Sequence, residues 1–129
     1  MNLNNEANTQ AEFYHQCRLL GVECALEVNT PFGRVDVAVL SDDRKRFLAI
    51  VEVKQQRVDF RREQIDRYKQ IGVPVYGLWN PLRCEKLAQT IRARHGSERG
   101  VSLLEIQTTK RRMAALQVDS ELNYKGERS

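Results

Sequence analysis

Three charged side chains interrupt hydrophobic strands, where charge is costly. Asp36 stands within Val35-Asp36-Val37-Ala38-Val39, and Glu52 and Lys54 stand within Ile50-Val51-Glu52-Val53-Lys54. Side chains at i and i+2 of a strand share a face, so Glu52 and Lys54 project together. A short turn between the two strands is expected to set Asp36 alongside Glu52. Two close carboxylates on low-dielectric ground repel each other unless a divalent cation lies between them. Oxygen ligands, with no paired His or Cys in competition, favour Mg²⁺ or Mn²⁺ over zinc. An ammonium beside such a metal orients an attacking water or stabilises a crowded phosphoryl group. The metal lowers the water's pKa and polarises phosphorus. The chemistry this set fits is phosphoester hydrolysis.

The elements that must position these residues are legible in outline. Apolar Phe13, Cys17 and Leu20 recur at spacings of four and three, which predicts a helix over 6–20 with Gly21 as its stop. Strands are predicted over 22–28 and 34–40, joined by the turn chemistry of Asn29-Thr30-Pro31-Phe32-Gly33. In the second strand Val35, Val37 and Val39 are placed on one face, with Asp36 and Ala38 on the other. The run Phe47-Leu48-Ala49-Ile50-Val51 reads as a strand over 47–54 buried on both faces, hence central. Short turns make these three an antiparallel meander. A helix is predicted over 59–71, with Asp59 as its N-cap, then a strand over 73–79 reached by a right-handed crossover. Beyond it come a helix over 81–95, a strand over 101–106 and a helix over 108–117, with 118–129 loose. The fold class is α/β, a mixed central sheet flanked by helices.

The 129 residues make one domain, with a core of about 6–80, a C-terminal α-β-α extension of about 81–117 and the tail. The N-terminus has no apolar h-region, and no apolar run approaches a membrane span, so a cytoplasmic protein without membrane association is expected. Three cysteines, Cys17, Cys24 and Cys84, have neither disulfide nor zinc spacing and read as buried thiols. No organic cofactor is indicated. The net charge of +4 is unevenly spread. Residues 1–53 carry five basic and eight acidic side chains, 54–82 carry six and three, and 83–112 carry eight and three. A carboxylate cluster beside a polyanion-binding surface fits that asymmetry.

In order and type these residues resemble the PD-(D/E)XK nuclease superfamily. Asp36, fifteen intervening residues, and then Glu52-Val53-Lys54 look like its signature on an αβββαβ, restriction-endonuclease-like core. The segment Glu63-Gln64-Ile65-Asp66-Arg67-Tyr68-Lys69-Gln70-Ile71-Gly72-Val73-Pro74-Val75 resembles the Gln-bearing helix and Gly-Val-x-Val strand of virus-type replication-repair nucleases. Gln64 and Tyr68 also match the Gln-x-x-x-Tyr pattern of RecB-like members. Val35 replaces the proline of the signature. The resemblance implies a Mg²⁺-dependent DNA endonuclease, with Mn²⁺ able to substitute. Asp36, Glu52 and the Val53 carbonyl hold the metal and Lys54 positions the water. A glutamate of the first helix, Glu12 or its rival Glu6, completes the site. Gln64 and Tyr68, at i and i+4, share a helix face over it.

Arg57, Arg61, Arg62 and Lys69 are the expected phosphate contacts, and two copies of so small a chain are expected for double-strand cutting. Arg92, Arg94, Arg99, Lys110, Arg111 and Arg112 offer a second basic stripe, and Trp79 a surface for stacking on a base. Isolated His15 and His95 suggest no metal site. The alternative is a catalytically silent nuclease-fold module that binds nucleic acid or a partner protein.

Overall fold

The computed structural model describes residues 6–128, with side chains described as far as Gln117. In chain order the elements are α1 (Glu6–Leu19), β1 (Glu23–Thr30), β2 (Gly33–Leu40), β3 (Arg46–Val53), a 3₁₀ turn (Arg57–Asp59), α2 (Arg62–Lys69) and β4 (Val75–Leu78). A second 3₁₀ turn (Pro81–Arg83), α3 (Cys84–His95), β5 (Val101–Ser102) and α4 (Leu103–Arg128) follow. The sheet runs β1-β2-β3-β4, with β5 also paired to β3. The first three strands are antiparallel, and β4 lies parallel to β3. The helix between β3 and β4 supplies the crossover that a parallel pair requires.

The sheet is covered on both faces, which is why β3 is apolar along nearly its whole length. One layer joins Phe13 and Cys17 of α1, Cys84, Ala88 and Ile91 of α3, and Val37, Val39, Val51 and Val53 of the sheet. The other joins Tyr68, Ile71, Val73 and Ile106 to Phe32, Val35, Ala38 and Ile50. All three cysteines are buried free thiols. Among the described residues no helix is long and apolar enough to cross a membrane.

Several elements differ from the sequence expectation. Val35 lies in the α2-side layer while Val37 and Val39 lie in the α1-side layer, so β2 switches face at Asp36. Its neighbour β1 does the same at Glu27, where φ is +54°. Leu26 pairs with Val37 and Val28 with Val35, but Glu27 and Asp36 between them are not paired. A non-glycine residue at positive φ inside a strand is strained, and the surrounding pairs must hold it there. Asp59 does not cap α2. Its carboxylate accepts the Gln56 N–H at 3.1 Å and closes the first 3₁₀ turn, and α2 begins three residues later. The strand expected over 101–106 is two residues long, because the Ser102 hydroxyl accepts the Glu105 N–H at 3.2 Å and starts α4. That helix continues to Arg128, through the segment expected to be loose.

Candidate active site

The site lies where β2 and β3 part. Their ladder runs from Leu40 to Val37 on β2, ending at Val37 opposite Val51. One step further along that register Asp36 faces Glu52, but the strands are no longer paired there. Backbone groups released at such a fork need other partners, since an orphaned buried amide costs about 1–3 kcal/mol. The two carboxylates supply them. The Asp36 N–H donates to Glu52 Oε1 at 3.3 Å, and the Val53 N–H donates to Asp36 Oδ2 at 2.8 Å. Gln10 of α1 donates its side-chain amide to the Asp36 carbonyl at 3.2 Å. The Asp36 peptide is therefore held by side chains on both sides, and its face switch aims the carboxylate into the fork.

Glu52 is 2% exposed. Burial first, then the charge of Asp36, pushes its carboxyl up from 4.5 to about 8, opposed by the hydrogen bond from the Asp36 N–H and, less, by Lys54. Such a pair is short of positive charge, and a divalent cation would supply it. Among the described residues no third Asp, Glu, His or Cys joins the two carboxylates in a metal-binding group. Two carboxylates are thus the donors that the described residues bring together, and further oxygen ligands would complete the shell. That composition fits Mg²⁺, which keeps several waters and binds through one or two carboxylates.

The other expected site residues are placed as follows. Lys54 is half-buried, its N–H donates to the Leu78 carbonyl at 3.0 Å, and it shares a depression with Arg61, Glu63, Gln64 and Arg67. Glu12 accepts the Gln16 amide at 2.8 Å and lies beside Asn8, Pro81 and Leu82, near the Cys84 thiol. Tyr68 is buried in the core, where its hydroxyl donates to the Arg34 carbonyl at 2.7 Å and meets the Gln64 amide at 3.4 Å. This bond pins α2 to the start of β2. Tyr68→Phe is expected to lower stability by about 1–2 kcal/mol, the cost of an orphaned carbonyl. Thermal unfolding measures it, and a phenylalanine variant as stable as the wild type would deny Tyr68 this anchoring role.

A profile of the PD-(D/E)XK nuclease superfamily matches residues 4–91, about two thirds of the chain. The chain belongs to that superfamily. No curated protein and no solved structure matches it. The matched segment spans α1 to α3 and contains the whole fork.

Nuclease-superfamily membership implies a nucleic-acid substrate, and the basic side chains sort by their availability to one. Arg57 and Arg61 are exposed and have no carboxylate partner among the described residues. Lys69 is exposed near the end of α2, whereas Arg62 leans on Asp66 at 3.7 Å. The proposed second stripe is partly engaged, since Arg99 pairs with Glu105 at 3.0 Å and Lys110 donates to the Pro31 carbonyl. His95 sits between the Tyr76 hydroxyl at 2.7 Å and Glu98 at 3.0 Å. Gln10 escaped the sequence reading, because a glutamine on a helix carries no signal of a strand carbonyl waiting for it.

Proposed function

We propose that this chain is a Mg²⁺-dependent DNA endonuclease, with Mn²⁺ able to substitute, built on an αβββαβ core with a C-terminal extension. The observation that carries this reading is the Asp36–Glu52 carboxylate pair at the β2–β3 fork, with Lys54 two residues past Glu52, just beyond the end of β3. Asp36, Glu52 and the Val53 carbonyl are the residues that would hold the metal. When bound, the metal would acidify a water and polarise the phosphodiester. Lys54 directs the attacking water and offsets the charge that develops on phosphorus. Gln10 fixes the Asp36 peptide, and so the aim of its carboxylate, through the 3.2 Å bond to the Asp36 carbonyl.

Helix geometry favours Glu6 over Glu12 as the further carboxylate from α1. Gln10 marks the face of α1 turned to Asp36, and Glu6 lies one turn before it on that face. Glu12 is two residues past Gln10 and so on the opposite side of the helix. Arg57, Arg61 and Lys69 would hold flanking phosphates and fix register without reading bases. Double-strand cutting would bring two copies together, each supplying one fork.

Supercoiled plasmid incubated with Mg²⁺ or Mn²⁺ is expected to be nicked by the wild type and left intact by Asp36→Asn. Equal nicking by both proteins, or wild-type nicking undiminished by a chelator, would overturn the reading. A wild type that binds DNA tightly yet cuts nothing with either metal would make it a binding module.

A further inference from the structure

The two 3₁₀ turns sit at the carboxyl ends of parallel neighbours β3 and β4, the edge of a sheet where ligands collect. Each turn does the same two things. The first, Arg57-Val58-Asp59, puts the Arg57 guanidinium 5.8 Å from the centre of the Trp79 ring and leaves Val58 83% exposed. The second, Pro81-Leu82-Arg83, puts the Arg83 guanidinium 4.5 Å from the same ring and leaves Leu82 89% exposed. The Phe60 ring meets Trp79 edge-on, with centroids 5.9 Å apart. Phe60 in turn lies so close over Gly77 that an added Cβ would come within 3.0 Å of it. Gly77 is the register partner of Glu52, and Leu78, just before Trp79, is the partner of Val53. The aromatic cluster is therefore built onto the strand pair that carries the carboxylates.

Neither Arg57 nor Arg83 has a carboxylate partner among the described residues. Unpaired guanidiniums gathered on an indole, with aliphatic tips bare to water, make poor sense as packing. They fit a ligand that has both a flat π face and an anionic backbone. Duplex DNA buries its base faces, so the ligand that satisfies both is an unpaired nucleotide. The exposed Val58 and Leu82 are suited to wedge against the last stacked base pair.

Building on the nuclease reading, we propose that Trp79, Arg57 and Arg83 form a stacking clamp for an unpaired base next to the scissile phosphate. The substrate class this selects is DNA with a single-stranded segment joined to duplex, such as a flap or fork.

Trp79 is the only tryptophan of the chain, so its fluorescence reports on the clamp directly. The protein is titrated in chelator, which prevents cutting, with oligothymidylate, with a blunt hairpin duplex of equal nucleotide content, and with polyglutamate. Labelled versions of the two DNAs give binding by anisotropy in parallel. Oligothymidylate is expected to quench Trp79 saturably and the blunt duplex to leave it unchanged. Arg83→Gln, at an exposed position, is expected to weaken oligothymidylate binding about tenfold. Anisotropy binding of oligothymidylate with no change at Trp79, equal quenching by the blunt duplex, or unaltered affinity in Arg83→Gln would each overturn the clamp while leaving the nuclease reading intact. Saturable quenching by polyglutamate as strong as by oligothymidylate would also overturn it, by assigning the surface to an acidic protein. Absence of DNA binding by any probe, in chelator and again with non-catalytic Ca²⁺ in its place, would overturn the clamp and the nuclease reading together.

Discussion

Glu52→Gln is expected to cripple cleavage and, in metal-free buffer, to make the protein harder to unfold. The two effects have one cause. Glu52 is buried beside Asp36, and its carboxyl holds a proton up to about pH 8 in the folded chain. In the unfolded chain it ionises near its ordinary value of 4.5. Between those values the folded state binds more protons than the unfolded state, so stability falls as pH rises. The slope is at most about 1.4 kcal/mol per pH unit. Below the unfolded value both states are protonated and no penalty remains. Glutamine keeps the side-chain oxygen that receives the Asp36 N–H but never ionises, so its denaturation midpoint should not share this decline. Wild type and variant should thus nearly coincide at pH 5 and separate at pH 8, with the variant the more stable. Added Mg²⁺ at pH 8 should raise the wild-type midpoint, because a cation replaces the missing proton, and should do little for the variant. Activity should fall by about 10³-fold, because losing one of the two carboxylates that would hold the metal forfeits most of the metal's transition-state stabilisation. Denaturant curves at pH 5 and 8, with chelator and with Mg²⁺, decide the matter. A wild type whose stability is flat from pH 5 to 8 would show that Glu52 is not the strained acid described.

How much of this was legible in the sequence depends on the range of the interaction. Asp36, Glu52 and Lys54 stood out because charge inside an apolar strand is a local anomaly, readable without knowing any partner. The central place of β3 was readable for a similar reason, since its run of apolar residues leaves no polar face. What failed depended on neighbours. Strict alternation put Val35 with Val37, but the strained Glu27 and the unpaired Asp36 turn both strands over at one level. Nothing local in Val35-Asp36-Val37 reports that switch. Asp59 had the side chain of an N-cap, but it closes a tighter turn just ahead of the helix. The start of α4 carries a local signal of its own. Ser102-Leu103-Leu104-Glu105 has the spacing of a capping box, although the apolar residues across it also suit a strand. Gln10 and the Tyr68–Arg34 bond lie 26 and 34 residues from their partners. Links of that length are set by topology, so they become visible only once the sheet is assembled.

Lys54→Ala tests the chemistry rather than the fold. The residue is half-buried, lines a depression with Arg61, Glu63, Gln64 and Arg67, and follows Glu52 by two residues just past the end of β3. If it directs the water and offsets charge in the transition state, its loss should lower kcat by about 10²–10⁴-fold. Affinity for DNA should scarcely change, since Lys54 acts on charge that develops only in the transition state and not on a ground-state phosphate. Arg61→Ala should behave in the opposite way, weakening binding and its salt dependence while kcat holds. The pair of variants thus separates charge that grips from charge that reacts. Lys54→Arg sharpens the distinction, because arginine keeps the positive charge but spreads it over a rigid fork. Recovery by arginine would mean that Lys54 acts through its field alone. A variant as inactive as alanine would mean that a compact ammonium must meet the water at one point. Cleavage at saturating DNA, with affinity measured separately in chelator, reads both quantities. An alanine variant with undiminished kcat would remove Lys54 from the reaction and leave Asp36 and Glu52 to carry it with the metal.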